Sequence, residues 1–325
     1  MLIKSVFCDV VVLVVFSFIF LGGCAEPAKK PVKVALKFSP GEFSTYKLTT
    51  VAEKGVEFDG MFPEGSKFKG GRNETRIEMT FSQQVSRIQQ NGEAIIDITI
   101  KSLKYFSKVK ENVTVDFDSS RADDWNKPLV KLIGMTYKLI VRPNGEVRKV
   151  VDVKPLRDAV KGQTTYHQKA LEFLAEDALK DRHSFLDLPS PDANEMKPGD
   201  KWSAIKTFSF GLMGPKEYEK IYTIKDFDDD RIAVVEMNAI PSATMAEELH
   251  EKGKSSTFSK MFDNATDSYS GELRIDLTNG IIEKAAEKLQ LTWVVVDPSI
   301  QHKDKSGPAS LKMSVARSYE LEKID

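Results

Sequence analysis

Cysteine is almost absent: the 325 residues hold two, Cys8 and Cys24. That excludes a disulfide framework and any Cys-rich zinc module. A charge surplus is missing too. Lys and Arg number 47 against 48 Asp and Glu, a net charge of −1, whereas a general nucleic-acid binder needs a basic excess to neutralise phosphates. Histidine is scarce, and His167, His183, His250 and His302 form no H-E-x-x-H or other paired metal spacing. There is no G-x-S-x-G elbow. There is no phosphate loop either, since Gly211-Leu212-Met213-Gly214 lacks the Lys and Ser/Thr such a loop needs. Asp226 to Asp230 opens like a calcium loop, but Arg231 and Met237 stand where that loop needs Gly and Glu. Asp123, Asp124 and Trp125 have the residue types of a sugar-binding cluster, although a lone Trp in a connecting segment is commoner. The residues therefore name no catalytic group, no metal ligand and no cofactor.

What is present begins at the amino terminus. Lys4 supplies a short positive region, and Val10 to Leu21 is an apolar run broken only by Ser17. This has the length of a signal-peptide core and is too short to span a bilayer. The run ends in Leu21-Gly22-Gly23-Cys24, which resembles the lipobox of bacterial lipoproteins. The resemblance implies cleavage between Gly23 and Cys24 and a diacylglyceryl group on the Cys24 thiol. Two or three acyl chains hold a protein stably at a membrane, whereas one does so only marginally. Cys8 would leave with the signal. Ala25, where Asp would favour the inner membrane in that family, leans towards the outer membrane.

Residues 24–34 read as the lipidated Cys and a short tether with Pro27 and Pro31. From Ala35 onward, alternation dominates. Ile77, Met79 and Phe81 share one face; so do Ile96, Ile98 and Ile100, then Tyr137, Leu139 and Val141. Leu273, Ile275 and Leu277 repeat the pattern, as do Leu289, Leu291, Trp293 and Val295. The last set is Met313, Val315, Arg317, Tyr319 and Leu321, where Arg317 breaks the apolar face. Period two means half-buried strands. Asn91-Gly92, Asn144-Gly145, Asn279-Gly280 and Asp228-Asp229-Asp230 are hairpin turns. Between the strands, Pro155 to Arg182 shows three-and-four spacing, which predicts an amphipathic helix with a break near Gly162. A proline-containing linker follows, and a shorter helix is expected over Ala243 to Lys252.

Turn chemistry repeats in order. Pro40-Gly41-Glu42-Phe43 matches Pro198-Gly199-Asp200-Lys201-Trp202, and Phe117-Asp118 matches Phe262-Asp263. Gly134 and Asn144-Gly145 match Gly271 and Asn279-Gly280. The fold expected is α+β and mostly antiparallel β, with two similar curved β-sheet halves joined by an amphipathic helix. Its parts are residues 1–23 as signal peptide, 24–34 as lipidated Cys and tether, 35–153 as the first β half, 154–197 as helix and linker, and 198–325 as the second β half.

These landmarks resemble a family of uncharacterised bacterial secreted proteins and lipoproteins, defined only as a domain of unknown function. Asp118-Ser119-Ser120, Gly134, Gly145-Glu146-Val147, Pro198-Gly199-Asp200-Lys201-Trp202-Ser203 and Gly271, Asp276, Gly280 and Ile281 carry the resemblance. It implies a two-halved β-rich fold over about residues 36–325 and an envelope compartment, and it transfers no catalytic residue. At the level of fold, a lipoprotein of curved sheets also resembles periplasmic lipid carriers, an analogy only. The function expected is a non-enzymatic binding or scaffolding role in the bacterial cell envelope. The protein would be anchored through Cys24, facing the periplasm or cell surface, with an apolar ligand or an envelope protein as partner and no nucleic acid. The alternative is an envelope hydrolase acting on glycan or lipid.

Overall fold

Alternating strands need neighbours for their backbone groups and one shared core for their apolar faces. The computed structural model describes residues 30–59, 70–184, 187–190, 192–229, 231–242, 263–301 and 308–325. Gly23, Cys24, the expected 243–252 helix, His250 and His302 lie outside these described residues. The first run of strands is β1 (Phe43–Asp59), β2 (Gly71–Ile88), β3 (Ala94–Val109), β4 (Asn112–Asp118), β5 (Thr136–Val141) and β6 (Val147–Val151). Three helices follow: α1 (Lys154–Ala159), α2 (Thr165–Phe173) and α3 (Glu176–His183). The second run is β7 (Lys201–Ser209), β8 (Pro215–Asp228), β9 (Ile232–Pro241), β10 (Asp263–Asp276), β11 (Ile281–Gln301) and β12 (Pro308–Lys323).

All twelve strands belong to one sheet, in the order β6-β5-β3-β2-β1-β12-β11-β10-β9-β8-β7, with β4 on β3. Every pairing is antiparallel. The two runs meet where β1 pairs with β12. The alternation is observed as burial: Met79, Phe81, Ile96, Ile98, Ile100, Tyr137, Leu139, Leu273, Ile275, Leu289, Leu291 and Trp293 all lie in the core.

The sheet is strongly curved. Arg317 on β12 and Phe208 on β7 are five strand positions apart, which in a flat sheet is about 24 Å at 4.8 Å per step. Their guanidinium carbon and ring centroid lie 5.4 Å apart. The edge strand β7 has therefore swung round to face β12. Register shifts in β2, β8 and β10 supply bulges that bend and twist strands.

The 155–182 stretch is three short helices rather than one. Thr164 and Ala175 both take extended backbone before α2 and α3. Gly162 lies in the first break, where an added Cβ would run into the His167 ring. Leu156, Val160, Ala170, Phe173, Leu174 and Leu179 bury the helices in the same core as the strands.

Two turns repeat their hydrogen bonds. Gly41 donates to the Val85 carbonyl at 2.8 Å, and Val85 donates back to Glu42 at 2.9 Å. Gly199 donates to the Ile224 carbonyl at 2.8 Å, and Ile224 donates back to Asp200 at 3.1 Å. In each turn the acidic side chain accepts from the amide three residues before it, Ser39 to Glu42 at 3.1 Å and Lys197 to Asp200 at 2.9 Å. Both glycines have φ near +90° (83° and 92°), a conformation that disfavours a side chain.

Candidate functional site

The curl leaves a cleft of about 430 Å³ between α3 and strands β1, β7, β11 and β12. Inward-facing positions line it. On β7 these are Lys206 and Phe208; on β11, Glu287 and Leu289; on β12, Arg317 and Tyr319. Tyr269 of β10 and Ala178, Asp181 and Arg182 of α3 complete the walls. The aromatic side is built from edge-to-face contacts. Phe208 meets Tyr218 and Tyr269 at 6.0 and 5.4 Å, and Phe210 meets Trp293 at 5.4 Å.

A polar network is set into this otherwise apolar face. Lys220 on β8 points inward between Tyr218 and Tyr222 and is 1% exposed. Its ammonium pairs with Asp187 at 2.7 Å and Glu287 at 2.6 Å. Tyr269 donates its hydroxyl to the other oxygen of Glu287. Tyr222 donates to Asp187 at 3.3 Å, and the Trp202 indole donates to the Asp187 carbonyl at 2.6 Å. Trp202 stacks on Tyr222 at 5.0 Å and 6°. Burial alone would lower the Lys220 ammonium, but Glu287, Tyr269 and Asp187 hold it above its usual range. Burial pushes the Tyr269 and Tyr222 hydroxyls up, and the nearby carboxylates push further in the same direction. Beside this network, Asp267 holds Lys216 and accepts from Tyr218 at 2.8 Å.

The cleft cations are not all matched. Lys206 lies 3.8 Å from Asp181. Arg317 lies over the rings of Phe208 and Phe210, at 5.4 and 5.8 Å. Arg182 is 7% exposed and stacks over Phe173 at 3.9 Å. It donates from one nitrogen to the Phe173 carbonyl at 3.1 Å, while its Nη1 is buried without a hydrogen-bond partner. Burial pulls both guanidinium groups below their usual range.

Residues singled out in the sequence lie mostly elsewhere. Trp125 is 63% exposed and donates to the Ser119 carbonyl at 3.2 Å. Asp124 is buried and serves the loop: it accepts from the Asp118 amide at 2.7 Å and pairs with Arg121 and Lys127 at 2.6 and 2.5 Å. Burial pushes its carboxyl up, but these partners outweigh burial and hold it below the usual range. His167 accepts or donates to the Thr164 hydroxyl at 2.7 Å, away from the cleft. Among the described residues no group of three or more His, Cys, Asp and Glu side chains could hold a metal ion, and no helix is long and apolar enough to cross a membrane. Arg317 was visible as a break in an apolar face. Lys220 and Glu287 were missed, although each interrupts an alternating apolar set in the same way.

A family model described as "Family of unknown function (DUF6263)" matches residues 91–282, more than half of the chain. No curated protein matches. Among solved structures, the chain is similar to one described as lipid–protein interactions in lipovitellin, with a TM-score of 0.46 and 10% identity. The alignment covers 89% of this chain and 26% of the other, so this chain spans about a quarter of that protein's length.

Proposed function

The chain belongs to the DUF6263 family of unknown function, and we propose that it is a lipid-anchored protein of the bacterial cell envelope that binds an apolar or lipid-like molecule rather than catalysing a reaction. The cleft carries this reading. It is about 430 Å³ in volume, walled by Phe208, Tyr269, Leu289 and Tyr319, and has a few charged groups along one side. Small-molecule sites have this character: apolar walls with a small number of placed polar groups. Glu287, the carboxylate that faces the cleft beside Asp181, is already held by Lys220 and Tyr269. That engagement supports binding over acid–base chemistry of the alternative hydrolase.

The two-halved reading is supported by the matching hydrogen bonds at Gly41 and Gly199 and by the strand order. In that order, β1-β2-β3-β5-β6 and β7-β8-β9-β10-β11 run as successive meanders on either side of β12. The anchor reading rests on the Val10–Leu21 run that stops at Gly23-Cys24. The binding role is tested with the soluble chain from Ala25 onward, which contains every described residue. Purified without detergent, it should carry an adduct of lipid-like mass in native mass spectra, and organic extraction should remove it. A clean apo mass, with no uptake of added lipid, contradicts the binding role and leaves scaffolding.

A further inference from the structure

The inward-facing charges of the second run of strands can be paired off one by one. Lys220 has Asp187 and Glu287. Lys216 has Asp267. Lys206 has Asp181 nearby. Arg317 is left over: among the described residues it forms no ion pair, the Asp181 charge acts on it only from a distance, and the faces of Phe208 and Phe210 lie against it. Arg182, on the helix that closes the same cleft, also has no carboxylate partner and keeps a buried Nη1 without an acceptor.

A guanidinium does not escape this situation by losing its proton, because arginine is so basic that it stays charged in proteins even where burial lowers its pKa. Charges taken out of water without a counter-ion are costly, and native structures pair them or give them hydrogen bonds. Cation–π contacts offset only a small part of that cost. Around Arg317 the remaining carboxylates are poor candidates. Glu287 is occupied by Lys220 and Tyr269, and Asp181 has a side chain that is 78% exposed. The cleft therefore has an aromatic wall and a guanidinium whose planar donors meet no acceptor among the described residues. That geometry matches a carboxylate or phosphate oxygen pair.

We propose that the cleft takes an amphiphile with a single anionic head, a carboxylate or phosphate at the end of an apolar chain. The head docks on Arg317 and the chain lies along Phe208, Tyr269 and Leu289. This rests on the binding role proposed above and adds the sign of the ligand's head. Arg182 lines the same cleft as a second positive charge. Its side chain is buried, so Arg317, which is half-buried and makes no ion pair among the described residues, is the residue to change.

The test is calorimetric titration of the chain from Ala25 onward with palmitate, hexadecyl phosphate, methyl palmitate and hexadecyltrimethylammonium, each as monomers. The two anions should bind about ten-fold or more tighter than the neutral ester, a margin of about 1.4 kcal/mol, with the cation weakest. The order of palmitate and hexadecyl phosphate identifies which head the site prefers. Arg317→Gln should remove the preference for anions, bringing palmitate to within about two-fold of methyl palmitate, and Arg317→Lys should keep part of the preference. Equal binding of acid and ester, or a preference that survives Arg317→Gln, overturns the anionic head and leaves the apolar site standing. No binding of any of the four chains overturns both.

Discussion

His183 shows how one residue sets a pH response. Its Nε2 lies 2.6 Å from the Tyr137 hydroxyl, and its ring meets Phe81 edge-on at 5.4 Å. Burial, then the Arg182 charge, pulls its pKa down to about 3, against about 6.5 in an unfolded chain. Between those values the unfolded chain takes up a proton that the folded chain refuses. Stability should therefore fall as pH drops below 6.5, at up to about 1.4 kcal/mol per pH unit. Above pH 6.5 both states are neutral and the residue contributes no slope. Urea titrations of His183→Phe should show that slope removed between about pH 6.5 and 4.5, above the range where most carboxylates titrate. A slope equal to the parent's would mean that the imidazole can be protonated in place.

Among the elements, β8 and β11 are cross-tied through Lys220 and Glu287, with Asp187 from the linker closing the group. Lys220→Met removes the cation and leaves two carboxylates without it, at an expected cost of about 3 kcal/mol. Adding Glu287→Leu should return part of that loss, because the apolar pair removes the stranded charge. A loss below about 1 kcal/mol for Lys220→Met would place the pair with exposed ion pairs instead. The strands themselves were legible, because burial of one face writes period two into Ile96, Ile98 and Ile100 or Leu289, Leu291 and Trp293. The pairing of charges was not. Asp187 and Glu287 are 33 and 67 residues from Lys220; Asp187 lies on the linker and β11 is three strand positions from β8, so the curl of the sheet and the path of the linker bring them together. The helical stretch was legible by its spacing. Its breaks depend on Thr164 and Ala175 taking extended backbone, which periodicity does not record. Arg317 was legible as an interruption, but its lack of a partner is a property of the curled sheet.

At the scale of the whole molecule, a single twelve-stranded sheet folds over its own edge, and its apolar faces leave a cleft instead of closing completely. The anchor reading has a direct consequence: Cys24→Ser should move the protein from the membrane to the soluble fraction of cells. Full retention with membranes would remove the lipid anchor. The central claim is that a ligand occupies the cleft under α3, and Ala178 lines it. The decisive measurement is therefore native mass spectrometry of Ala178→Trp beside the parent chain, both from Ala25 onward and both loaded with palmitate. The indole should fill the cleft, so the parent should carry the adduct and the variant should lose it, with melting temperatures within a few degrees of each other. An adduct of equal occupancy on a folded Ala178→Trp would place the ligand elsewhere and contradict the claim.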